Sequence, residues 1–109
     1  ERIEHLQNQA KHRHKELGIQ NIHYKVDDGV TGWPELGPFD AIICTCAPQQ
    51  IPAALMRQLS DEGGRLVIPI GTKKQSLWVV QRQGEEFQKT CIEDIFFVPL
   101  KSGIIHEKK

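Results

Sequence analysis

The sequence predicts an α/β fold in which a parallel strand–helix–strand crossover is followed by an antiparallel hairpin. Three observations carry this prediction. Ala41-Ile42-Ile43-Cys44 and Leu66-Val67-Ile68 are short apolar runs, entered from Asp40 and Arg65. They are too short for buried helices and lack the alternation of a half-wetted strand, so parallel strands covered on both faces fit best. Between them Ile51, Ala54, Leu55 and Leu59 recur at helical spacing, with Pro52 where a first turn tolerates it. Beyond Gly71, apolar runs on either side of Gly84-Glu85-Glu86 read as strands joined by a tight turn.

Taken in order, the chain opens on a helix. Glu1-Arg2 leads into a stripe of Ile3, Leu6, Ala10 and Leu17, and Gly18 stands where a C-terminal cap belongs. Ile22-His23-Tyr24-Lys25-Val26 alternates as a strand does. Asp27-Asp28-Gly29 closes it in a turn where Gly29 is expected at positive φ. Val30 to Pro38, with Gly32, Trp33, Pro34 and Gly37, is a loop whose Trp33 is expected to cover apolar surface.

Pro38 to Gly71 is the crossover, right-handed by the rule for such units, and ligands of these sheets gather at strand carboxyl ends. That places the candidate functional residues at Thr45 to Pro48 and at Pro69 to Gly71. Lys73-Lys74-Gln75 is a polar loop. Leu77 to Val80 is a strand, and Phe87 to Leu100, with Ile92, Ile95, Phe96, Phe97 and Val98, is expected to pair with it antiparallel at the sheet edge. Gly103 to Lys109 is polar and basic and is expected to fray.

Composition narrows the function classes. The chain has 109 residues, with Lys+Arg 14 against Asp+Glu 14 and a formal net charge of zero, so nothing global steers it toward nucleic acid or an anionic membrane. Lys11 to Lys15, with its two histidines, reads as a solvated helix face. No apolar run approaches a membrane span and no leader pattern opens the chain. Three cysteines do not make a disulfide framework and suit a reducing compartment, so the expected location is cytoplasmic. The helix begins without an initiator Met or a loose tail, which reads as a chain whose front part has been removed.

The order of motifs is specific: PFDAI at Pro38 to Ile42, GGRLVIPIG at Gly63 to Gly71, and FVPL at Phe97 to Leu100. Each is weak alone; together, in this order and spacing, they resemble the carboxyl-terminal portion of the protein-L-isoaspartate O-methyltransferase family, from Glu1 to about Ile104. The resemblance implies an incomplete class I (Rossmann-like) S-adenosylmethionine-dependent methyltransferase sheet with an antiparallel C-terminal hairpin, and residues 1–109 as the C-terminal part of a single domain. In the strand order it implies, the last strand lies between the fifth and the sixth.

It also implies roles. Glu1 matches the acid at the end of the family's second strand, which accepts from the ribose hydroxyls of S-adenosylmethionine; Asp28, followed by Gly29, matches the acid near the adenine amino group. Thr45, Cys46, Ala47 and Pro48 match the segment beside the methyl donor and the peptide, with Thr45 on the cofactor side. Pro69, Ile70 and Gly71 match the turn that walls the substrate. Cys46 stands where the family usually has a small alanine, a change that narrows the site or sets a polarizable neighbour beside the sulfonium. The glycine-rich cofactor loop and the segment that contacts the isoaspartyl carboxylate belong upstream of Glu1. The implied partners are isoaspartyl-containing proteins and peptides, and no catalytic side chain is assigned.

Plainer readings stand beside these. On residues alone Glu1 is an exposed acid favourable to a helix dipole, and Asp28 a turn former. Cys44 and Cys46 lie on one strand face, but no second pair follows at ligand spacing, so with Cys91 they read as core cysteines and no metal is expected. His5, His12 and His14 fit a solvated face, and Trp33 and Trp78 packing positions. Two further functions are weighed. One is a non-catalytic truncated fragment that self-associates as a homo-oligomer through exposed strand edges. The other, weaker, is a nicotinamide-dependent oxidoreductase, which shares the acid-ended strand and the crossover.

Overall fold

The computed structural model describes residues 1–95 and Val98. The described residues form two compact units, one of residues 1–29 and a larger one of residues 30–95 with Val98.

In the first unit α1 runs Glu4–Glu16, with Glu4 in its first turn and Arg13 and Lys15 in its last, each favourable to the helix dipole. It ends in a Schellman motif: Gly18, at φ 74°, donates to Lys15 O at 3.1 Å, and Ile19 donates to His14 O at 2.9 Å. The expected apolar stripe is not the buried one. Leu6 and Leu17 are exposed, and the least exposed face runs through Ile3, Gln7, Ala10 and His14. On that face His14 stacks on Tyr24 and shares a 2.6 Å hydrogen bond between Nδ1 and the phenol. His14 is therefore a bonded residue and not part of a solvated face; His12, exposed, pairs with Glu16 at 3.0 Å.

Ile22–Val26, expected as a strand, is in no regular secondary structure. Glu1 N–H donates to Lys25 O at 3.2 Å and Asp27 N–H donates to Glu1 O at 2.9 Å, the exchange that sets Glu1 beside Val26 in a parallel ladder. A single rung does not make a strand. Gly29, expected at positive φ, instead begins a short 3₁₀ turn, Gly29–Thr31. The bend is made without a left-handed residue because Asp28 N–H bonds the Asp27 Oδ1 at 2.7 Å.

The second unit is a four-stranded sheet with one helix on its core face: β1 (Ala41–Ile43), α2 (Ala53–Arg57), β2 (Glu62–Ile70), β3 (Gln75–Gln83) and β4 (Glu86–Ile95). β1 and β2 are parallel, Ala41 opposite Arg65 and Ile43 opposite Val67, so the crossover forms as expected. Both following pairs are antiparallel, and the order is sequential, β1-β2-β3-β4. This corrects the strand order the resemblance implied. The short Gly71–Lys74 connection hands β2 directly to its neighbour, which leaves β4 at the edge.

Leu55 and Leu59 of the crossover meet Leu66, Ile68 and Val80 in the core, with Ile42, Ile51, Met56, Trp78 and Phe87 packed around them. The strands are not covered on both faces as expected: Ile43 is 73% exposed. Gly64 lets β2 start where it does. A Cβ there would lie 2.6 Å from Ser60 N and 3.0 Å from Phe39 O, backbone atoms that hold the crossover together through Ser60 N–Phe39 O and Phe39 N–Gln58 O bonds of 2.7 Å each. Arg82 closes the end of α2, its Nη1 donating to Arg57 O at 3.1 Å and Leu59 O at 2.9 Å. Gln58 ties the preceding loop to the same end, donating to Thr31 O and accepting from Trp33 N–H, both at 2.8 Å. Trp33 is half-buried there. Ile92 is an extra residue in the β3–β4 ladder, a bulge that turns it outward. Phe96, Phe97, Pro99, Leu100 and the basic end Gly103–Lys109 lie outside the described residues.

Candidate functional site

The predicted site residues fall into two groups, one in each unit. The first group is Glu1, Asp28 and Gly29. The parallel rung at Val26 brings the Glu1 backbone beside the Asp27-Asp28 turn, and Glu1 Oε1 accepts from Ile3 N–H at 2.9 Å. Asp28 is half-buried and Gly29 exposed. Asp27 holds this turn. Its carboxylate takes the Asp28 N–H and the Lys25 ammonium, at 3.2 Å, and these bonds, the backbone one first, keep its pKa below the usual carboxylate range.

Because the folded pKa is depressed, whatever stability Asp27 contributes is complete above the unfolded pKa of about 3.9 and disappears as pH falls through the lower folded value. In an NMR titration its carboxyl midpoint should lie below that of an ordinary aspartate, and Lys25→Ala should move it partway back. A midpoint at or above the ordinary value would contradict the assignment.

The second group is assembled by the crossover. β1 and β2 run parallel, so their carboxyl ends emerge side by side. Cys44 N–H donates to Val67 O at 2.9 Å, the last tie between the strands; Thr45 beyond it is exposed and Cys46 half-buried. Ala47, 2% exposed, donates to Val98 O at 2.7 Å, and Pro48 is buried. From the other strand Pro69 is buried, Ile70 packs against the core, and Gly71 N–H donates to Pro48 O at 2.9 Å. Thr45–Pro48 and Pro69–Gly71 are thus joined by a direct backbone bond.

Gly71 has φ 123°, and a Cβ there would meet the Lys74 carbonyl oxygen, with Lys74 C at 3.1 Å and Gln75 Cα at 3.2 Å. Only glycine lets the Gly71–Lys74 turn close this tightly. Gln75, 3% exposed, supports the turn by donating to Thr72 O at 3.3 Å. Neither Gln75 nor Gln58 was marked out by the sequence. A glutamine's burial depends on carbonyls brought near it by tertiary structure, and no local pattern signals that.

All three cysteines are free thiols. Cys44 packs against the core and its Sγ donates to Cys46 O at 3.1 Å. Cys91 is exposed on β4, a correction to its expected core position, since the edge strand leaves it uncovered. Among the described residues no three His, Cys, Asp or Glu side chains gather as metal ligands. No helix among them is long and apolar enough to cross a membrane.

A parallel crossover with its conformationally demanding residues at the strand ends, continued by antiparallel strands, defines a Rossmann-like α/β sheet of the methyltransferase type. The family model described as Protein-L-isoaspartate(D-aspartate) O-methyltransferase (PCMT) matches residues 1–104, and the chain belongs to that family. It is 50% identical over 103 residues to the protein-L-isoaspartate O-methyltransferase of Shewanella amazonensis, covering 94% of this chain and 48% of that protein. To the Serratia proteamaculans protein of the same name it is 52% identical over 103 residues, covering 94% and 49%. A solved protein-L-isoaspartate O-methyltransferase superposes with a TM-score of 0.83 at 26% identity, covering 93% of this chain and 32% of that one. The chain spans about half the length of the curated relatives it matches.

Proposed function

We propose that the full-length protein containing this chain transfers a methyl group from S-adenosylmethionine to the free carboxylate of L-isoaspartyl residues in damaged proteins and peptides. The observation that carries this is the joined pair of strand ends, Thr45–Pro48 tied to Pro69–Gly71, within a chain of this family. Bound S-adenosylmethionine supplies an already activated methyl group. An ionised carboxylate is a nucleophile at neutral pH, so the residues here need only align it with that methyl group and keep water out. Buried Ala47, Pro48 and Pro69 suit the second task. No general base is required.

Family membership supports assigning the nucleoside end of the cofactor to Glu1 and Asp28. The Glu1 backbone bonds Asp27 N–H, next to Asp28, and the two residues carry carboxylates, acceptors of the kind that the hydroxyl and amino donors of a nucleoside require. Replacing Glu1 with Gln in the full-length protein should weaken S-adenosylhomocysteine binding about tenfold in calorimetry, the size of one lost charge-assisted hydrogen bond. An unchanged Kd would remove Glu1 from the cofactor site. Free thiols at Cys44, Cys46 and Cys91 support a reducing, cytoplasmic location.

A second reading applies to residues 1–109 taken alone. β1 is an edge strand and its Ile43 is 73% exposed, a combination that favours pairing with another copy. Sedimentation of this chain should show a concentration-dependent dimer that Ile43→Lys weakens. A monomer at every concentration would contradict self-association.

A further inference from the structure

We propose that the Lys73–Lys74 turn selects, among isoaspartyl peptides, those carrying acidic side chains near the damaged residue. This inference rests on the methyltransferase reading above and adds to it the charge of the preferred substrate.

The turn leaves β2 at the same end as Thr45–Pro48, and the Gly71 N–Pro48 O bond of 2.9 Å fixes its root against that segment. Its shape is set by backbone: Gly71 at φ 123° folds onto the Lys74 carbonyl, and buried Gln75 holds Thr72 O from below. The lysine side chains are not used to hold it. Thr72, Lys73 and Lys74 are all exposed, and among the described residues neither ammonium has an ion pair. The carboxylate on the neighbouring strand nearest in register, Asp94 opposite Ser76, is bonded to Ser76 Oγ at 3.1 Å.

The chain's formal net charge is zero, so no global field overrides a local one. Two ammoniums on a fixed turn at the rim of the proposed peptide wall attract a carboxylate on an approaching peptide and repel an ammonium. Across solvent such attraction is modest and screened by salt. It should alter discrimination by about five- to tenfold at low ionic strength and fade within a Debye length of about 10 Å at 0.1 M salt.

The test compares kcat/KM of the full-length protein on two isoaspartyl peptides that differ only in flanking residues, Glu in one and Lys in the other. The wild type should prefer the acidic peptide about five- to tenfold at low salt, with the preference shrinking at about 0.5 M. Lys73→Glu with Lys74→Glu should reverse it, and Lys73→Gln with Lys74→Gln should bring the ratio near one. Equal ratios in wild type and both variants, with methylation intact, would overturn the charge selection and leave the methyltransferase reading standing. Methylation of neither peptide by the wild type would overturn both.

Discussion

Leu59→Ala should be the most destabilising single change among the core positions, at about 3 kcal/mol by denaturant unfolding, within the range of about 2–5 kcal/mol for leucine truncation in a packed interior. Leu59 is fully buried and stands where three elements meet. It follows α2, it pairs with Phe39 in a parallel bridge, and its carbonyl takes the Arg82 guanidinium. The neighbours Leu66, Ile68 and Val80 are held in paired strands and cannot collapse into the space left behind. Against a total stability of about 5–15 kcal/mol, such a loss is a large fraction. Ile43→Ala, on the exposed face, should cost within about 0.5 kcal/mol. Comparable costs at the two positions would mean that the core does not lie between the crossover and β2–β3.

Gly71→Val should have the largest effect on activity. A side chain there is forced into left-handed backbone and against the Lys74 carbonyl, so the turn must open. Opening it strains the Gly71 N–Pro48 O bond and displaces Thr45–Pro48, the segment proposed to align donor and acceptor. A displacement of about 1 Å can cost about a hundredfold in rate, and a loss of kcat/KM between tenfold and a hundredfold is expected in the full-length protein. Gly84→Ala is the control. Gly84 also has positive φ, at 60°, but a Cβ there meets nothing within 4 Å, and it lies in the β3–β4 turn. It should lower stability slightly and leave kcat/KM unchanged. Equal losses at both glycines would assign the effect to folding rather than to the site.

The crossover was legible because its signals are local and redundant. Apolar runs, helical spacing and Pro52 agree on the same unit, and the joined strand ends follow from that topology. What failed to show depends on partners far along the chain. Ile22–Val26 has the alternation of a strand, yet a strand also needs a ladder, and among the described residues only Glu1 supplies a rung. The apolar stripe of α1 misled because Gln7 and His14 find burial and bonding partners on the adjacent face, while Leu6 and Leu17 do not. Gly29 was expected to bend the chain by its own freedom, but the Asp27 carboxylate does it instead. The pairing of β3 with β2 was hidden because apolar runs specify strands and not their neighbours. Within the site, Gly71 was visible in the motif, whereas Gln75 beneath its turn was not.

The full-length protein containing this chain is expected to methylate isoaspartyl carboxylates. Two peptides identical except for an isoaspartyl or a normal aspartyl linkage, offered together to the full-length protein with S-adenosylmethionine, test it most directly. Mass spectrometry should find one added methyl group, as a base-labile ester, on the isoaspartyl peptide, with the aspartyl peptide unchanged. Equal labelling of both peptides, or transfer to a different acceptor with neither peptide labelled, would contradict the account.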